Sequence, residues 1–154
     1  MHNPLRTEKR ALLLIGAVVA LLALGGSAAF ARMMAPPPSD LDLSTQLPTA
    51  RQHFMVSYTP SVTPPPINRL HTWTVRVTTP DGQPVEGATI AVDGDMPQHG
   101  HGLPTRPQVT RYLGDGRYLV EGMKFQMGGW WVADFTITDA AGQTDTVRFN
   151  FILG

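Results

Sequence analysis

From His53 onward, apolar side chains recur at every second position in short runs, and a turn rich in glycine or proline ends each run. A period of two puts alternate side chains on opposite faces, so each run reads as a β-strand with one face in a core and the other in solvent. "HFMVSYTP" sets Phe54, Val56 and Tyr58 against His53, Met55 and Ser57, and the prolines of "TPPPIN" end it. His71, Trp73, Val75 and Val77 share one parity of the next run, Pro80-Asp81-Gly82-Gln83-Pro84 turns the chain, and Val85, Ala88, Ile90 and Val92 return. Gly114-Asp115-Gly116 forms a tight turn before Tyr118 and Val120, and a final hairpin closes around Asp139 to Gln143.

These runs predict an all-β domain, an immunoglobulin-like antiparallel β-sandwich of about seven strands. Parity gives its core as Trp73, Val75, Val77, Ile90, Tyr118, Val120, Phe125, Trp131, Phe135, Ile137, Val147, Phe149 and Phe151. A sandwich this small leaves little room for an interior cavity, so function is expected on edges and end loops.

The N-terminal residues have a different texture. Arg6, Lys9 and Arg10 precede "ALLLIGAVVALLALGGSAAFA", residues 11–31, which carries no charge. A bilayer of ~30 Å needs ~20 residues of helix. The segment therefore fits either a signal peptide cleaved after Ala29-Phe30-Ala31 or an uncleaved hydrophobic helix anchored in the inner membrane by residues 11–31. Both place the folded part in the periplasm or otherwise outside the cytoplasm. Residues 32–50 hold four prolines and no hydrophobic period, and they read as a linker to a domain over 51–154. The formal net charge is zero with both signs interspersed, which argues against nucleic acid as a partner. The chain has no cysteine, so no disulfide holds the fold and no thiolate is available as nucleophile or ligand.

Soft ligation must then come from histidine and methionine, and "DGDMPQHGHGLPTRP", residues 93–107, concentrates both. His99 and His101 stand one residue apart in a loop that can converge two imidazoles on one ion. Met96 lies just upstream, while Met123 and Met127 flank Phe125 at period two and so are expected on one strand face. Thioethers beside imidazoles suit Cu(I), whereas zinc more often recruits a third histidine, a carboxylate or cysteine. His71 is a reserve ligand should the loop fold over its end of the sheet, and His53 reads as structural. The plain alternative is a solvated loop whose histidines bond to the backbone and whose methionines fill the core. No catalytic constellation is visible. Ser57 and Ser61 lie in a strand and a proline-rich turn, and Asp93, Asp95 and Asp115 belong to turns where aspartate serves the backbone.

"PDGQPVEGATIAVDGDMPQHGHGLPTRPQV" followed by "GDGRYLVEGMKFQMGGWW" resembles the YtkA-like domain family, related to FixH-like periplasmic domains, over about residues 50–152. In that family a strand leads into a loop of MPxHGHG type, here Met96, Pro97, His99, Gly100, His101 and Gly102. A later strand motif falls on Phe125, Met127, Gly129 and Trp130 or Trp131. The sequence departs at Gln98, where relatives often carry another apolar residue or methionine. The resemblance implies an exported or membrane-anchored β-sandwich, with some relatives linked to copper delivery during respiratory oxidase assembly.

The expected function is an extracytoplasmic copper-binding or copper-transfer accessory domain, not an enzyme. Its ligands are expected to be His99, His101, Met96 and Met127 with His71 in reserve, and its partner a membrane protein or metalloprotein client. The alternative is a metal-free interaction module that docks a membrane protein through the 93–107 loop.

Overall fold

The computed structural model describes Ala31 and residues 35–154. Apart from Ala31, the expected leader lies outside the described residues, and among the described residues no helix is long and apolar enough to cross a membrane. The strands in chain order are β1 (Gln46–Pro48), β2 (Met55–Pro60), β3 (His71–Thr78), β4 (Thr89–Met96), β5 (His101–Gly102), β6 (Gln108–Gly114), β7 (Arg117–Met123), β8 (Gly129–Thr138) and β9 (Thr144–Leu153). All lie within the compact unit Pro37–Gly154. Among the described residues there are nine strands where the sequence predicts about seven, the two shortest, β1 and β5, making the difference. β1 falls inside the stretch expected to be a linker.

Every strand pairing is antiparallel. The order β1-β2-β3-β7-β6-β4-β8-β9 runs as one path, with β5 paired to β4. The sheet is therefore continuous and nearly barrel-like, not two separately bonded layers. Continuity is thin at one place, because the single register pair Ala91↔Gln108 joins β4 to β6. β6 also shifts register twice against β7, and such bulges sharpen local twist, which lets the path turn over on itself at this seam.

Turning over brings two aromatic faces together. Tyr58 stacks on Trp73 at 4.4 Å and meets Phe149 edge-on at 4.9 Å, while Trp73 meets Phe151 at 5.6 Å. All the residues that parity assigns to the core are buried, and Phe54, Val56, Met96, Met123 and Leu153 join them. Burial of one such side chain is worth about 1.5 to 3 kcal/mol, so this shared interior is what holds the two halves against chain entropy. Tyr118 pins the connection into β4: its hydroxyl donates to the Val85 carbonyl at 2.7 Å and accepts from the Ala88 amide at 3.0 Å. Val85 and Ala88, expected in the returning strand, instead precede it, both tied to that hydroxyl.

A buried carboxylate ties the β1–β2 turn to β9. Asp145 accepts from the backbone N–H of Thr146 at 2.8 Å, Arg51 at 3.0 Å and His53 at 3.3 Å. Burial by itself would raise its pKa, but hydrogen bonds from Thr49, Thr146, His53 and Arg51 outweigh that and hold the carboxyl below its ordinary 3.8. A folded-state pKa below the unfolded one stabilises the fold above the unfolded value, and this stabilisation drains away as pH falls through the folded value. Asp145→Ala is expected to cost about 1.5 to 3 kcal/mol at neutral pH, the range for hydrogen bonds to a charged group. Urea midpoints taken from about pH 6 to about pH 2 check it, the gap between wild type and variant closing toward the acid end. A gap that stays constant with pH would contradict the assignment.

Candidate metal centre

The glycine- and proline-rich stretch after β4 is a short hairpin, not an open loop. The Met96 carbonyl accepts from the His99 and Gly100 amides, both at 2.9 Å, and Gly100 takes φ 67°, a left-handed conformation that glycine adopts freely. β5 then pairs back on β4 with Asp95↔Gly102 and Met96↔His101. Close approach explains a second glycine: a Cβ at Gly94 would sit 2.9 Å from the Val132 carbonyl oxygen and 3.1 Å from the Leu103 side chain.

This hairpin sets the imidazoles side by side. The rings of His99 and His101 are 5.7 Å apart, centre to centre, and both residues are half-buried. An ion held ~2.0 to 2.1 Å from one nitrogen of each ring would place the ring centres roughly 5 to 6.5 Å apart, so the observed spacing suits shared ligation. The His101 ring also packs edge-on against Trp131 at 6.0 Å.

Gln126 orients His101. Its amide nitrogen donates to His101 Nδ1 at 2.9 Å and to the Gly102 carbonyl at 3.2 Å, and the reverse orientation would set Oε1 against that carbonyl. His101 Nδ1 thus accepts, and the ring proton sits on Nε2. The Gln126 Oε1 is left buried without a partner. Ligating histidines commonly donate their second ring N–H to an oxygen acceptor. Were an ion to take Nε2, the proton would move to Nδ1 and the Gln126 amide would have to turn over for Oε1 to accept it. Sequence reading does not find Gln126, because glutamine carries no ligand signal of its own; its place between Phe125 and Met127 in the strand motif is the available hint.

The two methionines differ from expectation. Met96 is not a loop residue: it ends β4 and is fully buried. It stands opposite His101 in the register and so on the same face, with its methyl end against Gly129, where an added Cβ would lie 3.0 Å from it. Met123 and Met127 do not share a strand face. β7 ends at Met123, which is buried, while Met127 lies in the following turn, 37% exposed, its carbonyl accepting from the Trp131 indole at 3.0 Å.

His71 is buried at the start of β3 and is not joined to the hairpin. A series of ring contacts, His71 to Phe125 at 5.4 Å, Phe125 to Trp131 at 5.1 Å and Trp131 to His101 at 6.0 Å, sets it apart. Its Nδ1 lies 3.2 Å from the Arg69 carbonyl, and its Nε2 has no partner. Burial lowers its pKa, a trend that the Arg69 hydrogen bond opposes only in part, and so favours the neutral ring. Among the described residues no three histidine, aspartate or glutamate side chains converge as a metal-binding group. The two imidazoles stand side by side and Met96 lies opposite His101 on the same face; imidazole with thioether is chemistry that suits a soft ion and not an oxygen-seeking one.

A family model described as YtkA-like matches residues 55–134. No curated protein matches the chain in sequence. The crystal structure of a DUF4426 family protein from Pseudomonas aeruginosa is similar in fold, with a TM-score of 0.51 at 14% identity, covering 71% of this chain and 94% of that one.

Proposed function

The chain belongs to the YtkA-like family, and from that premise we propose that it is an extracytoplasmic copper-binding or copper-transfer accessory domain, acting in respiratory oxidase assembly. In finer terms the fold is an immunoglobulin-like sandwich, the halves β1-β2-β3-β7-β6 and β5-β4-β8-β9 being its layers. The observation that carries the functional reading is the pair His99 and His101, held 5.7 Å apart by a hairpin that turns at Gly100 with φ 67°. These two residues would hold Cu(I), with the thioether of Met96 or Met127 completing the set. Bound there, the ion would be cargo to be passed to a membrane-bound or metalloprotein client, and no catalytic role is assigned. Residues 1–31 would serve as signal peptide or inner-membrane anchor, with the domain in the periplasm.

One observation favours a second reading, a metal-free module that docks a membrane protein through the 93–107 loop. Leu70 is 69% exposed, Val62 51% and Met127 37%, all in segments that connect strands at the hairpin's end of the sheet. Thermal melting of the full chain with and without Cu(I) under reducing conditions separates the two. An ion that binds only the folded state raises the melting temperature by mass action, by about 2.7 kcal/mol of stabilisation at a hundredfold excess over Kd. A melting temperature indifferent to Cu(I) would favour the docking module.

A further inference from the structure

The large apolar side chains left exposed among the described residues gather at one end of the sheet. Val62, Leu70, Met127 and Ile152 stand there, Leu43 lies close by, and Tyr112 on β6 stands elsewhere. Register fixes the placement. Val62 follows the end of β2, where Pro60 pairs with Trp73, and Leu70 precedes His71, which pairs with Met123 at the end of β7. Met127 precedes Gly129, which pairs with Leu153, and Ile152 pairs with Trp130. The Met96 methyl against Gly129 brings the histidine hairpin to the same end. The turns at the other end, 79–84, 114–116 and 139–143, hold none of these side chains and carry Asp81, Asp115 and Asp139. Connections 61–70, 97–104 and 124–128 instead carry Arg69 and Lys124 and no acidic side chain. Asp95 is level with Asn150 in the register, and the Asp42 carbonyl accepts from Asn150 at 3.2 Å, so both acids stand a step below Trp130 and Ile152.

We propose that this end of the domain lies against a phospholipid bilayer, with Val62, Leu70, Met127 and Ile152 seated among the headgroups. Exposed apolar side chains rimmed by polar ones mark contact surfaces. Ser61, Thr63 and Asn68 stand exposed among them, and Trp130 is half-buried opposite Ile152. That mixture suits the headgroup layer, where tryptophan is enriched, and not the hydrocarbon interior. Lipid is favoured over a protein segment because the four come from separate segments and share no one groove. The cleft between β2 and β9 takes in Ile152 but not Val62, Leu70 or Met127. The path of the chain agrees. Asp42 meets Asn150 toward this end, and residues 32–41, fully extended, reach at most roughly 35 Å from the uncharged stretch 11–31. Connections without acidic side chains are not repelled by lipid phosphates. The inference needs no bound copper, since none of its terms is a ligand atom.

The test is fluorescence quenching on the full chain, without metal, reconstituted into phosphatidylcholine vesicles. Because the chain has no cysteine, Leu70→Cys, Ile152→Cys and Ala141→Cys each take a single nitrobenzoxadiazole label, Ala141 being exposed in the turn at the opposite end. A phosphatidylcholine carrying a nitroxide near its headgroup should quench the labels at 70 and 152 at least about fivefold more than the label at 141, as an interfacial seat requires. Val62→Glu/Met127→Glu puts charges at two exposed positions of the same end. It should bring quenching at 70 and 152 down to the level at 141 without altering the melting temperature, as is usual for surface substitutions. Equal quenching of all three labels, or a Val62→Glu/Met127→Glu variant quenched like wild type, would overturn the proposal and leave this end to a protein partner.

Discussion

Changing His99 and His101 together to alanine is expected to weaken Cu(I) binding by at least about a hundredfold, since losing only the outer partners of a metal ligand already costs ~10 to 100-fold. Once both imidazoles are gone, the thioethers left are one that is fully buried and one that sits in a turn, Met96 and Met127. Gln126→Leu provides an intermediate case. It removes the amide that fixes the His101 ring but no ligand, so its affinity should fall by about tenfold and remain well above that of the double variant. Stability of the metal-free protein should change little but measurably. The double variant loses the hydrogen bond from Gln126 to His101 and the ring packing on Trp131, together worth about 1 kcal/mol. Competition against a Cu(I) chelator gives the affinities, and a melt of each protein without metal shows that the loss is of ligands and not of fold.

Gly116→Ala is expected to destabilise the domain by at least about 3 kcal/mol, a large part of the 5 to 15 kcal/mol that holds a typical domain together. Two faults coincide there. Gly116 has φ 70°, which a side chain disfavours, and a Cβ would collide with the backbone carbonyl of Val77 and press on Pro84 at 3.3 Å. Val77 cannot yield easily, because it is a fully buried β3 residue whose own amide donates to the Gly116 carbonyl at 2.8 Å. Gly114→Ala isolates the first fault. Gly114 has φ 84° but open space where its Cβ would stand, so its cost should stay near 1 to 2 kcal/mol. Urea denaturation of the two variants beside wild type checks both values, and equal losses would mean that strain and not collision governs the turn.

The parity that exposes the core in the sequence also runs further than expected. Ile90, Val92, Gly94 and Met96 continue one face of β4 without a break, and Gly94 and Met96 are both buried. Met96 was therefore legible as a core residue; the proline and glycines after it suggest a loop because they are also what a tight hairpin requires. Less was legible where partners are distant in sequence. The Gln126 amide reaches His101 across 25 positions, and nothing local in "KFQMGG" marks it. β1 is not legible for a related reason: its three residues carry no period of their own and become a strand only by pairing with β2 at Leu47↔Val56. Parity assigns both Phe125 and Trp131 to the core, but that their rings stand between His71 and the hairpin follows from tertiary packing alone.

The central claim is that His99 and His101 hold one Cu(I) with help from a methionine thioether. Copper-edge X-ray absorption on the full chain, loaded with one equivalent of Cu(I) and washed with a competing chelator, addresses it at the ligand atoms themselves. The account predicts a shell of two imidazole nitrogens and at least one sulfur in the wild type, and no retained copper in the His99→Ala/His101→Ala variant. An imidazole-free copper shell in the wild type, or the same spectrum from both proteins, would contradict it.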